Sequence, residues 1–135
     1  YFLAVNVNNP LSIQKNLTVN DLHNIDFIMY DAVVGRYSFE LLSSLFLNSG
    51  VKPNFVQYVS QPSVFLGLVK ASLGVALLAN SSRQNSPENV VFKEIKLPEW
   101  VRADVYLATK KEPKNKLIPE VYNCIMEALY KDQKI

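Results

Sequence analysis

The stretch Gln61-Pro62-Ser63-Val64-Phe65-Leu66-Gly67-Leu68-Val69-Lys70-Ala71-Ser72-Leu73-Gly74-Val75-Ala76-Leu77-Leu78 reads as a buried helix running straight into a short buried strand. Pro62 suits a first helical position, where its missing N–H costs nothing and its fixed φ is already helical. Val64, Phe65, Leu68, Val69 and Leu73 recur at helical spacing, and Gly74 is placed to supply the left-handed turn that ends the helix. The apolar run 75–78 has the length of a strand covered on both faces. A helix that feeds an inner strand through one glycine is an α/β crossover unit.

The flanking sequence repeats that alternation. Residues 1–7 read as a strand ended by Asn8-Asn9-Pro10, and Thr18 with Asp21 has the spacing of a cap on a single helical turn. Residues 26–30 form a strand. The loop through Gly35 leads to a helix over about 37–49, with Phe39, Leu42 and Phe46 beside Leu41 and Leu45, ended by Gly50. A strand over 54–60 precedes the opening stretch, and a polar loop over 80–87 follows it. Two more strands are expected at 90–96 and 101–109. A closing helix over about 116–131 carries Leu117, Val121, Cys124, Ile125, Ala128 and Leu129 on one stripe, with Pro119 tolerated in its first turn. Strands alternating with helices predict an α/β fold with a mostly parallel sheet and helices on both faces.

Composition narrows the function classes. The chain has 135 residues, enough to bury a core, and 49% of them are apolar, which excludes disorder. No apolar run reaches membrane-span length, so no membrane partner is expected. A net charge of +2 is too small to suggest nucleic-acid binding by this chain alone. Cys124 is the single cysteine and His23 the single histidine, so neither an internal disulfide nor a usual metal spacing exists. A reducing, cytoplasmic setting follows as the expectation, with no metal and no cofactor. Cys124, on an apolar stripe, reads as a buried inert thiol, and His23 as a surface residue. Lys110, Lys111, Lys114 and Lys116, interrupted by Glu112 and Pro113, read as a solvated loop. There is no Ser-His-Asp order and no phosphate-cradling loop, so no catalytic residue is assigned.

Several segments, in order, resemble the effector-binding domain of LysR-type transcriptional regulators. The stretch 64–78 is similar to that family's "lVaaGlGvallP" signature, departing at Ser72, usually glycine, and at Ala79, usually proline. Asn9-Pro10-Leu11 resembles its "HPL" turn, with Asn9 in place of the histidine. Leu17-Thr18-Val19-Asn20-Asp21-Leu22 resembles its "lsl.dL" element, residues 45–53 its "GfrP" turn, and Val91-Phe92 and Val105-Tyr106-Leu107-Ala108 its late strands. The resemblance implies a lobe of the type II periplasmic-binding-protein-like fold. Residues 4–100 would form the second lobe, and residues 101–135 the strand and helix returning to the first. It also implies a small-molecule effector, often a carboxylate, and homodimers or homotetramers. DNA contact would come only through an N-terminal winged helix-turn-helix that this chain lacks. The helix over 37–49, with Leu41, Leu45 and Leu47 beyond its main stripe, is the expected subunit interface. A lobe of a solute-binding protein for transport is the alternative.

In open α/β sheets ligands gather beyond the carboxyl ends of strands, near the N–H groups that open the following helices. Two such junctions are readable, one through Tyr30, Arg36 and Tyr37, the other through Ser60, Gln61, Pro62 and Ser63. Hydroxyls, free N–H groups and the Arg36 guanidinium would suit an anionic effector. For Ser60 and Gln61 plain helix capping is the competing assignment, and for Arg36 a solvated loop charge.

Overall fold

The computed structural model describes residues 1–111, 115 and 117–132. These fall into two compact units, one over residues 1–103 and one over the described residues from 104 on. In the first unit β1 (Phe2–Asn6), β2 (Leu17–Thr18) and β3 (Asp26–Tyr30) precede α1 (Arg36–Ser49). Then come β4 (Asn54–Val59), α2 (Pro62–Lys70), β5 (Ala76–Leu78), β6 (Val90–Lys93) and β7 (Ile95–Lys96). Short 3₁₀ turns occupy Pro10–Ser12, Val19–Leu22 and Asn80–Asn85. In the expected Thr18–Asp21 turn, the Asp21 carboxylate accepts the Thr18 N–H at 2.7 Å.

β3 pairs in parallel with β4, and a parallel bridge from Phe27 to Val75 ties β3 to the start of β5. β1 lies between β5 and β6, antiparallel to both. The resulting order is β4-β3-β5-β1-β6, in which every strand but β1 shares one direction. The α/β lobe with a mostly parallel sheet therefore stands. β1 is the exception because the chain crosses over it between β5 and β6, through the 3₁₀ turn Asn80–Asn85.

Strand alternation divides the core into two layers. Leu3, Val5, Phe27, Met29 and Leu77 face Leu42, Leu45 and Phe46 of α1. Ala4, Ile28, Ala76 and Leu78 face Phe65, Leu66 and Val69 of α2. The two helices thus cover opposite faces of the sheet. The first helix keeps its expected stripe, but its proposed second apolar face shrinks. Leu45 is buried, Leu41 packs against the core, and only Leu47 of the three stands in solvent, at 81% exposure.

The opening stretch departs from its sequence reading in two respects. The buried stripe of α2 is Phe65, Leu66 and Val69, while Val64 is exposed, Leu68 is half-buried, and Leu73 lies beyond the helix end in solvent. The left-handed residue is not Gly74 but Ser72, at φ +59°. Ser72 N–H donates to the Val69 carbonyl at 3.0 Å and Leu73 N–H to the Leu68 carbonyl at 3.1 Å, the two bonds of a Schellman cap. Gly74 is required instead for close approach. A Cβ there would stand 2.8 Å from the Asp26 carbonyl oxygen.

An L-residue in the left-handed region carries roughly 1–2 kcal/mol of strain. Ser72→Gly relieves it but loosens the unfolded chain. The expected net result is a gain of about 0.5–1 kcal/mol, read by denaturant titration. No gain would mean that local bonding already removes the strain.

Three other expectations change. The strand over 90–96 breaks at Glu94, because β6 pairs with β1 whereas β7 pairs with β2. Residues 101–110 form no ladder among the described residues, and Val105 and Tyr106 are 97% and 83% exposed. Apolar alternation alone makes no strand; an edge must be there to pair with it. In the second unit α3 (Ile118–Asp132) places Pro119 in its first turn as expected. Its stripe lines a groove of about 530 Å³ with Leu107, Ala108, Leu117, Val121, Tyr122 and Ile125. Cys124 lies on the exposed side of that stripe, so the thiol is not buried. His23 is a surface residue whose Nδ1 accepts the Lys52 N–H at 3.2 Å. Lys110 and Lys111 are exposed; Lys114, Lys116, Glu112 and Pro113 lie outside the described residues.

Candidate functional site

The shared direction of β3, β4 and β5 brings their carboxyl ends to one edge, and the antiparallel β1 contributes its start there. Tyr30 pairs with Val59, and the Asp31 N–H donates to the Val59 carbonyl at 2.9 Å. The two junctions read from sequence are therefore neighbours: Tyr30–Asp31 lies alongside Val59–Ser60. Tyr30 also packs its ring on Phe65 of α2, centroids 4.7 Å apart.

Each junction has its own local cause. After β3 the Asp31 carboxylate accepts the N–H groups of Val33 and Val34, both at 2.9 Å, which hold its carboxyl below the usual carboxylate range. Gly35 lets this loop fold back over the strand end; a Cβ there would stand 3.1 Å from both the Asp31 carbonyl and the Tyr30 Cβ. After β4, Gln61 is the N-cap of α2, yet its side chain makes no capping bond. Its carbonyl accepts the N–H groups of Val64 and Phe65 at 3.1 and 3.3 Å. Ser60, Gln61, Pro62 and Ser63 are all exposed. The Ser60 hydroxyl makes no hydrogen bond among the described residues, so it is not a cap, and the first turn of α2 has no side-chain cap of its own. Pro62 and Ser63 also line a groove of about 270 Å³ with Ser82 and Asn85.

Arg36 and Tyr37 are engaged elsewhere. The Arg36 Nε lies 2.7 Å from Glu40 Oε1, an exposed pair one turn apart on α1. The Tyr37 hydroxyl donates to the Arg102 carbonyl at 3.1 Å. Its ring lines a groove of about 410 Å³ on α1 with Glu40, Leu41, Ser44, Asn48 and Trp100.

Two residues at this edge escaped the sequence reading. Tyr1 and Ser38 hydroxyls are 2.8 Å apart. Burial, foremost, holds the Tyr30 hydroxyl well above the ordinary tyrosine range, so it stays a neutral donor. No local signal marks a bond between positions 37 apart. The edge thus offers O–H and N–H donors, while Arg36 is paired with Glu40 on the first turn of α1. Among the described residues no group of His, Cys, Asp and Glu could hold a metal ion, and no helix is long and apolar enough to cross a membrane.

A family model described as the LysR substrate binding domain matches residues 1–129. The Hca operon transcriptional activator HcaR of Escherichia coli K12 is 28% identical over 89 residues, covering 66% of this chain and 30% of that protein. The chain therefore spans less than a third of this curated relative. Among solved structures, the BenM effector binding domain with its effector benzoate is similar at a TM-score of 0.81 and 21% identity, covering 98% of this chain and 60% of that one. The effector binding domain of QuiR in complex with shikimate is similar at a TM-score of 0.63 and 24% identity, covering 73% and 46%. At these identities the structural likeness bears on the fold.

Proposed function

Because the chain belongs to the LysR substrate-binding domain family, we propose that it senses a small-molecule effector, with a carboxylate as the favoured class, for a transcriptional regulator. The observation that carries this reading is the pair of adjacent strand ends, where the uncapped first turn of α2 and the unbonded Ser60 hydroxyl stand beside Tyr30. A helix N-terminus favours negative charge, and the Ser60 hydroxyl has no acceptor among the described residues to lose. Benzoate and shikimate, named with BenM and QuiR, are both small carboxylates. Membership of this family favours regulation over the transport alternative.

Within this reading Ser60, Gln61, Pro62, Ser63 and Tyr30 form the contact edge, and Arg36 joins it only by exchanging Glu40 for the ligand. An exposed pair at that spacing adds little stability in water, so the exchange is cheap. Tyr37, bonded toward Arg102, contributes through the position of α1. Residues 4–100 act as the second lobe, and sensing requires binding rather than catalysis. The whole regulator would work in the cytoplasm as a homodimer or homotetramer, reaching DNA through a separate N-terminal module.

Ser60→Ala tests the site. It should weaken binding of a carboxylate drawn from a benzoate and shikimate panel by roughly fivefold, the value of about 1 kcal/mol for one hydrogen bond. Stability should not change, since a lost cap would cost about 1 kcal/mol and Ser60 caps nothing. Calorimetry and thermal melting read both quantities. Unchanged affinity with a lower melting temperature would assign Ser60 to the helix instead.

A further inference from the structure

We propose that Asn6, at the opposite end of α2 from the candidate site, is the positioning residue that sets where the first turn of α2 stands; its relevance to effector binding rests on the reading above. Asn6 is the one buried polar side chain among the described residues, at 4% exposure. It ends β1, on the face of the sheet that α2 covers. Its Nδ2 donates to the Lys70 carbonyl at 2.8 Å and to the Val69 carbonyl at 3.4 Å, while its Oδ1 accepts the Asn8 N–H at 3.0 Å.

The helix end explains why a carboxamide is there. The last carbonyls of any α-helix lack partners within it. The Schellman cap at Ser72 and Leu73 serves Val69 and Leu68. The Lys70 carbonyl is the one left over, and Asn6 takes it. A buried amide is costly unless bonded and close to neutral once bonded, so the gain lies in geometry more than in stability.

Apolar contacts through Phe65, Leu66 and Val69 hold α2 against the sheet, but they resist sliding along the helix axis only weakly, being non-directional. The Asn6 fork fixes that axial coordinate. A nine-residue helix is about 14 Å long and stiff, so a shift at Lys70 reappears at Pro62 and Ser63. The same side chain also holds the turn that follows β1, which couples the far end of the lobe to the effector edge.

Asn6→Asp keeps the shape and the acceptor for Asn8 but turns an acceptor toward two carbonyls; Asn6→Ala removes the fork and leaves room for water. Amide hydrogen exchange on the intact chain, without ligand, decides the structural part. In either variant that folds, the α2 amides from Phe65 onward should lose at least tenfold in protection while those of α1 and of β3–β4 keep theirs. Loss confined to Asn8, Ser72 and Leu73, or spread evenly over the sheet, would overturn the proposal. Calorimetry with the carboxylate panel then separates the two readings. Both variants should weaken a bound carboxylate at least threefold, and undiminished affinity would overturn the positioning role. If the unaltered protein binds none of the panel, the carboxylate reading fails while the exchange result still decides Asn6.

Discussion

Replacing Gly74 by alanine is expected to destabilise the protein by about 3 kcal/mol, toward the upper end for overpacking a well-filled core. The added Cβ would stand 2.8 Å from the Asp26 carbonyl oxygen and 3.3 Å from the Ile28 side chain. Neither can withdraw freely. That same carbonyl accepts the Val75 N–H at 2.9 Å, and the Val75 carbonyl accepts the Ile28 N–H at 2.8 Å. These two bonds join β3 to β5 at the middle of the sheet, so relieving the clash stretches the junction between the β4-β3 pair and the other strands. For a unit of this size the loss corresponds to a melting temperature lower by roughly 15 °C. The matching change in α2, Gly67→Ala, is expected to have the opposite sign. A Cβ at Gly67 would meet nothing within 4 Å, and the residue sits inside a helix, where alanine is favoured by up to about 1 kcal/mol. Denaturant titration of both variants checks the pair. Equal effects would mean that the sheet tolerates a side chain at position 74.

The contrast also shows where sequence reading reaches its limit. A glycine that supplies a positive φ and a glycine that admits a neighbouring backbone look alike in a sequence. Helical spacing located the end of α2 to within a few residues, but assigned the left-handed turn to Gly74 rather than Ser72. The family resemblance held a clue, since that signature usually carries glycine at position 72 as well as at 74. Strands and helices were legible wherever one face is buried, as in β3 and α1, because burial imposes a period. The segment 101–109 has strand-like composition but joins no ladder among the described residues, and composition cannot report whether a sheet edge is there to pair with. At the candidate site, Ser60 to Ser63 was legible because Pro62 announces a helix start directly after a strand. The adjacency of Tyr30 was not, since it depends on β3 and β4 being neighbours. Asn6 left no trace at all. Its partners Val69 and Lys70 lie 63 and 64 positions away, and an asparagine within residues 1–7 reads simply as part of a strand.

The largest loss is expected from Phe65→Ala, about 4 kcal/mol. Phe65 is fully buried on the α2 face of the sheet, among Ile28, Val59, Ala76 and Leu78. Truncation removes its transfer free energy and leaves a cavity between the helix and strands that are themselves held by the ladder, so little collapse can fill it. The Tyr30 ring would lose the partner it packs on at 4.7 Å, an interaction worth about 0.5–1.5 kcal/mol beyond the area buried. Phe65 stands one turn after Pro62, so the same residue anchors both the start of α2 and the end of β3, the two sides of the proposed effector edge. Phe65→Leu, which keeps most of the volume, should cost about 1.5 kcal/mol or less. The two variants separate core filling from edge geometry. If Phe65 serves the edge through its ring, Phe65→Leu should weaken carboxylate binding by more than its small loss of stability suggests, while Ser60→Ala weakens binding at unchanged stability. Denaturation alongside calorimetry gives both numbers for each variant. A Phe65→Leu protein with full affinity would show that the ring fills the core and that Tyr30 is held in place by the sheet alone.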